Sequence, residues 1–151
     1  MALNSFTPNT KIESSKVNAN FTNFSSHALW AVKEWFFSGN LSTQTLLDYI
    51  SFPDNVTIQR VDLAVYTAPT GANIIVDIER STDLSSWTTI FTGGTNRPQI
   101  AASAKVGNTT TIDVPSGTGN THYYRPKISQ VGSTIAGANL SILLKVKYVL
   151  D

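Results

Sequence analysis

Two alternating apolar runs, Val61, Leu63 and Val65, then Ile74, Val76 and Ile78, stand on either side of a short break holding Pro69 and Gly71. Period-two alternation puts every second side chain on one face of an extended chain, and a Pro/Gly break between two such runs is how an antiparallel hairpin is written. The same grammar continues through ERSTDLSSW, so that Val65 to Trp87 reads as strand, Gly-centred turn, strand and turn, with no catalytic group pattern in it. This segment commits the chain to a β-scaffold.

The final stretch is the clearest strand. Leu140, Ile142, Leu144, Val146, Tyr148 and Leu150 take one face, and Ser141, Lys145 and Lys147 the other. Further strands are expected over Val56 to Tyr66, Asn73 to Glu79, Trp87 to Phe91, Thr109 to Val114 and Tyr123 to Val131, with no amphipathic helix between them. Antiparallel strands separated by Gly, Pro, Asn and Asp turns predict an all-β fold: a single antiparallel β-sandwich, jelly-roll-like, with about eight strands. At 151 residues the chain suits one domain with one core.

Residues 1–26 are different in kind. They are rich in Asn, Ser and Thr, with apolar anchors spaced at Phe6, Ile12, Val17, Phe21 and Phe24, and they read as an extended N-terminal arm before a β-sandwich domain at 27–151. A short helix around Ser14 to Phe24 has a capping serine available, against the poor helix propensity of Asn18, Asn20 and Asn23. The anchors can pack on their own domain or along a neighbour. After His27 comes ALWAVKEWFFSG, a dense apolar block. Trp30 and Val32 share one parity while Trp35 and Phe37 share the other. A strand here therefore needs either a bulge or cover on both faces, the second suiting a subunit interface.

Chemistry-bearing patterns are sparse. Cysteine is absent, which removes disulfides, thiolate zinc sites and thiol nucleophiles. His27 and His122 lie in neither an HExxH spacing nor a carboxylate cluster, and no metal site, catalytic residue or cofactor is expected. Asp77 and Glu79 are two apart in a strand and so share a face, the simplest local pairing for glycoside hydrolysis or calcium. Since Ile74, Val76 and Ile78 already supply a buried face, both acids are expected outside, paired with Arg80 or Arg60. The glycines fit no phosphate loop, and the Asn-x-Ser/Thr triplets at Asn20, Asn23, Asn40, Asn55, Asn108 and Asn139 read as chance matches. Trp87, Tyr123 and Tyr124 are candidates for stacking on sugar rings, with core or interface packing as the alternative.

Only 14% of residues are charged and the net charge is +1, which gives no electrostatic reason to bind nucleic acid or an acidic membrane. A polar but weakly charged surface suits protein contacts. MALNSFTPNTKIES has no basic start and apolar core, and no apolar run reaches the ~20 residues of a membrane span. The expectation is a soluble protein made in a cytoplasm.

Beside these readings stands a resemblance. FTPNTKIESSKVNANFTNF, Phe6 to Phe24, resembles the F-x-P-x-T-x-I-x-S-x-x-V-N-A-N-F start of tailed-bacteriophage virion proteins. VTIQRVDLAVYTAPTGANIIVDIER, RPQIAAS and QVGSTIAGANLSILLKV are similar, in the same order, to segments of phage minor structural and head-decoration proteins. The resemblance implies a virion component on the capsid exterior, made in the bacterial cytoplasm. In that role the sandwich cements the lattice by binding the major capsid protein and itself, as a homotrimer, with no nucleic acid, membrane or cofactor involved. It further implies that Phe6, Ile12, Val17, Asn18, Asn20 and Phe21 form the contact arm, with Trp30 and Trp35 as inter-subunit aromatics. The alternatives are a tail or head-fibre domain that binds a host glycan, and a hydrolase of the same architecture resting on Asp77 and Glu79.

Overall fold

A computed structural model describes residues 30–114, 116–117 and 121–149. The arm, its expected helix, its six contact residues and His27 lie outside the described residues. The rest is all-β and antiparallel throughout, in two sheets. The first sheet has β1 (Trp30–Asn40), β11 (Ala138–Tyr148), β4 (Val56–Thr67) and β8 (Val106–Thr109) in that spatial order, with β9 (Ser116–Gly117) also on β4. The second runs β2 (Gln44–Thr45), β10 (Tyr123–Gln130), β5 (Ile74–Ser81) and β6 (Thr88–Thr89). In it, β3 (Ile50–Ser51) also pairs with β10, and β7 (Gln99–Ile100) with β5. The expected sandwich is present, built among the described residues from five long strands, the four-residue β8 and five two-residue pieces.

One apolar core fills the space between the sheets. Trp35, Phe37, Val61, Leu63, Val65, Leu140, Ile142, Leu144 and Val146 come from the first sheet, and Ile74, Val76, Ile78, Tyr124 and Ile128 from the second. Phe52 joins them at one end, its ring edge-on to Tyr124 at 5.8 Å and to Tyr148 at 6.5 Å. The break in alternation between Ile58 and Val61 is absorbed by a register shift against Lys145 and Val146, which keeps Val56 and Ile58 inside with Val61, Leu63 and Val65. The turn between β4 and β5 depends on Gly71, which has φ of +80°. A Cβ there would strike the hydroxyl oxygens of Ser133 and Thr134.

The second sheet's edge is split for a sequence reason. Pro126 lies in β10 opposite Ile78, and its carbonyl accepts the Leu46 N–H at 3.0 Å. In an antiparallel ladder the N–H of the same residue would serve that side too, and proline has none. The neighbouring chain therefore pairs as β2 at Thr45 and again as β3 at Ile50, leaving the sheet between them.

Two expected strands are corrected. Trp87 to Phe91 contributes only Thr88–Thr89, and the strand placed at Thr109 to Val114 lies instead at Val106–Thr109. Ile112 and Val114 do pack against the core, as the apolar pattern required, but from a loop tied by the Val114 N–H to the Ile90 carbonyl. The true strand was hidden by Gly107 and Asn108, both poor strand formers. Gly107 sits where a Cβ would collide with the Gln99 carbonyl oxygen, so the close approach of β7 demands glycine there.

Two loop aspartates fasten the turns beside this sheet. Asp83 accepts the backbone N–H groups of Ser86 at 2.8 Å and Ser85 at 2.9 Å, and the Ser81 hydroxyl at 2.9 Å. Asp113 accepts the Asn96 amide at 2.9 Å and the Thr92 N–H at 2.7 Å. These bonds favour the ionised form, led by the Ser86 N–H for Asp83 and the Asn96 amide for Asp113, so both carboxyls sit below the usual range. A depressed folded-state pKa means stability that is complete above the unfolded value of about 3.9 and is lost as pH falls through the folded one. Asp83→Ala and Asp113→Ala should therefore lower Tm at neutral pH, with the gap from the parent chain closing in strong acid. Thermal melts across pH 7 to about 2 check this; a gap independent of pH contradicts it.

Candidate interaction surfaces

The two outward faces of the sandwich differ in chemistry. On β1 the register to β11 is unbroken from Trp30 to Phe37, with an irregularity only between Phe37 and Asn40. No bulge separates the two aromatic parities, so simple alternation sends Trp35 and Phe37 inward and Trp30, Val32 and Phe36 outward. Trp35 is 2% exposed in the chain's own core, which corrects its assignment as an inter-subunit aromatic; Trp30 is 52% exposed.

Cross-strand pairing assembles those outward residues into a surface. Phe36 stands opposite Ser141, Ser141 opposite Ala64, and Ala64 opposite Val106, one row across all four strands of the first sheet. Phe36 is 56%, Tyr66 76% and Val106 70% exposed. Between them lies an open depression of about 570 Å³ lined by Phe36, Ala64, Val65, Tyr66, Asn139 and Ser141. Its floor is fixed by polar contacts: Asn139, with φ of +56°, accepts the Gly39 N–H at 2.8 Å, and the Ser141 hydroxyl bonds the Glu34 carboxylate. Cations flank the aromatics, with Lys145 Nζ 4.6 Å from the Trp30 ring centre and Lys105 Nζ 5.7 Å from that of Tyr66. Phe36, Tyr66 and Val106 thus gather large exposed apolar side chains around one depression, the kind of patch that marks a candidate interaction surface.

The outward face of the second sheet is ionic. Asp77 and Glu79 are not solvated as expected; they are 4% and 9% exposed, and their partners are neither Arg80 nor Arg60. Asp77 accepts the Thr89 hydroxyl at 2.5 Å and Arg97 Nε at 3.0 Å. Glu79 is held by Arg125 at 2.8 Å and Lys127 at 3.2 Å, both from β10, where Arg125 stands directly opposite it. The Arg125 guanidinium in turn lies 3.9 Å from the Trp87 ring centre. The segment after β5 thus folds back over β5 and covers a face that alternation alone would leave wet. Arg60 pairs instead with Asp62 on the first sheet.

These contacts limit the chemistry. Asp77 and Glu79 are both committed to cations, so this pair is not set up as the acid and base of a glycosidic hydrolysis. Among the described residues no group of three or more His, Cys, Asp or Glu converges on a metal position, and no helix is long and apolar enough to cross a membrane. Of the ring-stacking candidates, Tyr124 is buried in the core, and burial pushes its hydroxyl pKa up. Tyr123 is half-buried and edge-on to Tyr49 at 5.3 Å, and Trp87 is occupied by Arg125. What sequence reasoning missed is the Phe36–Ala64–Val106 row, whose members are far apart in the chain and became neighbours only through strand order.

Comparison with known proteins gives structural likeness only. No family model matches the chain, and no curated protein matches it. The fold is similar to a chain of the capsid of Ralstonia phage GP4, at 15% identity and a TM-score of 0.49 over 81% of this chain and 86% of that one. It is also similar to a chain of the cyanophage Pam1 capsid asymmetric unit, at 12% identity and a TM-score of 0.42 over 81% and 85%. A serine protease and chaperone complex of Aeromonas sobria matches at 8% identity and a TM-score of 0.36, over 89% of this chain and 30% of that one. None of these lends this chain a residue role.

Proposed function

We propose that this chain is a structural protein of a tailed-phage virion that decorates the capsid exterior, and that the outward face of the first sheet is its adhesive surface. The observation that carries the reading is the exposed row of Phe36, Ala64 and Val106 with Tyr66 beside it, on a sheet otherwise well ordered by its core. The phage-type segments from Phe6 onward supply the particle, and the apolar face supplies the means of attachment. No reaction is required. Apolar area removed from water at ~25 cal/mol per Å2 and repeated at every copy cements a lattice.

Under this reading the face meets the major capsid protein or a sister subunit, the latter within a homotrimer. The arm, through Phe6, Ile12, Val17, Asn18, Asn20 and Phe21, adds a second contact. Trp30 joins the face at its Lys145 end.

The test is cosedimentation with expanded capsids stripped of the protein, with unexpanded procapsids as control. The parent chain should bind saturably and raise the capsid melting temperature. Deleting residues 1–25 tests the arm. The pair Phe36→Asp with Val106→Asp should weaken binding at least ~100-fold, since an unpaired carboxylate costs several kcal/mol to bury, while leaving the protein's own Tm nearly unchanged. Binding that survives both aspartates removes the face from the role; no binding by the parent chain removes the cement role and directs attention to host glycans.

A further inference from the structure

On the opposite sheet, a polar pocket of about 450 Å³ is lined by Thr43, Gln44, Thr45, Ser129, Arg97 and Lys127, with Asp77 at its base. We propose that it is a receptor for the carboxylate of an acidic side chain presented by a partner polypeptide. Three observations converge. The cluster beneath it has three cations, Arg97, Arg125 and Lys127, against two carboxylates, Asp77 and Glu79, which leaves one positive charge. Both carboxylates are already engaged by hydroxyl, guanidinium or ammonium groups, so they do not compete for the cations' remaining donors.

Those cations reach the pocket. Arg97 meets Asp77 through Nε, and its side chain, 30% exposed, lines the cavity. Lys127 spends one bond on Glu79, and its side chain is 45% exposed. A guanidinium held at Nε presents its other nitrogens as a rigid fork, the geometry that takes a carboxylate in paired bonds. Hydroxyls of Thr43, Thr45 and Ser129 and the Gln44 amide complete a lining that can serve the remaining lone pairs.

Polypeptide is favoured as the carrier by position and size. The pocket is lined by Gln44 and Thr45 of β2, which among the described residues is the edge strand of the second sheet on this side, the kind of position an extended segment can approach. At about 450 Å³ it has room for a glutamate side chain. The lining is of hydroxyl, amide and charged groups with one aliphatic, Ile128, and offers no ring for a sugar to stack on. The site is separate from the apolar face, so its test does not depend on capsids.

The experiment is a titration of the 15N-labelled full chain with acetyl-Ala-Glu-Ala-amide, its Gln counterpart and glucuronate, followed by NMR at low salt. Saturable shifts confined to Thr45, Lys127, Ser129 and the Arg97 side chain are expected with the Glu peptide. Binding should be about ten-fold weaker with the Gln peptide and with Lys127→Ala, the worth of one charge-assisted bond, and should return with Lys127→Arg. An equal response to both peptides, scattered shifts or none at all overturns the site. Glucuronate binding the same residues more tightly than the Glu peptide overturns the polypeptide assignment. The peptide comparison stands on the parent chain alone, whatever the variants do to folding.

Discussion

Trp35→Ala should lower the unfolding free energy by about 3–5 kcal/mol, the usual cost of emptying a fully buried aromatic position. For a domain of this size that is a large part of the total stability, and corresponds to a fall in Tm of about 10 °C. The residue earns this prediction by position: it is 2% exposed, on a strand paired residue for residue to β11, with Ile142 directly opposite. Its indole N–H, however, is buried with no hydrogen-bond partner among the described residues. An unpaired buried donor costs about 1–3 kcal/mol, so Trp35→Phe removes a penalty along with volume and should cost under about 1.5 kcal/mol. Urea unfolding of both variants reads the difference. If phenylalanine costs as much as alanine, the indole nitrogen is bonded and the packing account of this position fails.

Glu79→Ala is expected to cost about 2–3 kcal/mol, by leaving Arg125 and Lys127 charged without their carboxylate. The figure lies below the 3–5 kcal/mol typical of a broken buried pair, because the Arg125 side chain keeps 20% exposure and its stack on Trp87, and Lys127 reaches solvent. Glu79→Met combined with Arg125→Met should recover most of the loss, since two well-packed apolar side chains remove the stranded charge together with its partner. Chemical denaturation of the single and double variants checks it. A single-variant cost near zero means the pair behaves as a solvated surface bridge and that Trp87 does not shield it.

Both cases turn on residues that the chain announces but does not place. Trp35 and Trp30 belong to one aromatic block, and the sequence shows their opposite parity without saying which side is covered. Only the position of β1 at the edge of the first sheet, with the second sheet behind it, sends Trp35 into the core and leaves Trp30 on the surface. Asp77 and Glu79 were legible as a pair on one face. Their burial was not, because the cover comes from residues 8 to 50 positions further along: Trp87, Thr89, Arg97, Arg125 and Lys127.

The apolar face follows the same rule. Its members are ordinary in their local settings: Phe36 in an aromatic run, Ala64 and Tyr66 in the outward parity of a hairpin strand, and Val106 beside a glycine. Strand order β1-β11-β4-β8 sets them side by side.

What the sequence determined by itself is whatever depends on neighbours one to four positions away. The two-residue period made the strands, most plainly at 140–148. Gly71 and Pro69 closed the hairpin. What the tertiary structure decided is which face of each strand is covered, how the ionic cluster and its pocket are roofed, and that Val106–Thr109 rather than Thr109–Val114 pairs with β4. The physical reason is that alternation fixes two faces and marks the apolar one for burial, whereas what covers the other face is set by contacts from distant parts of the chain, which local spacing does not encode.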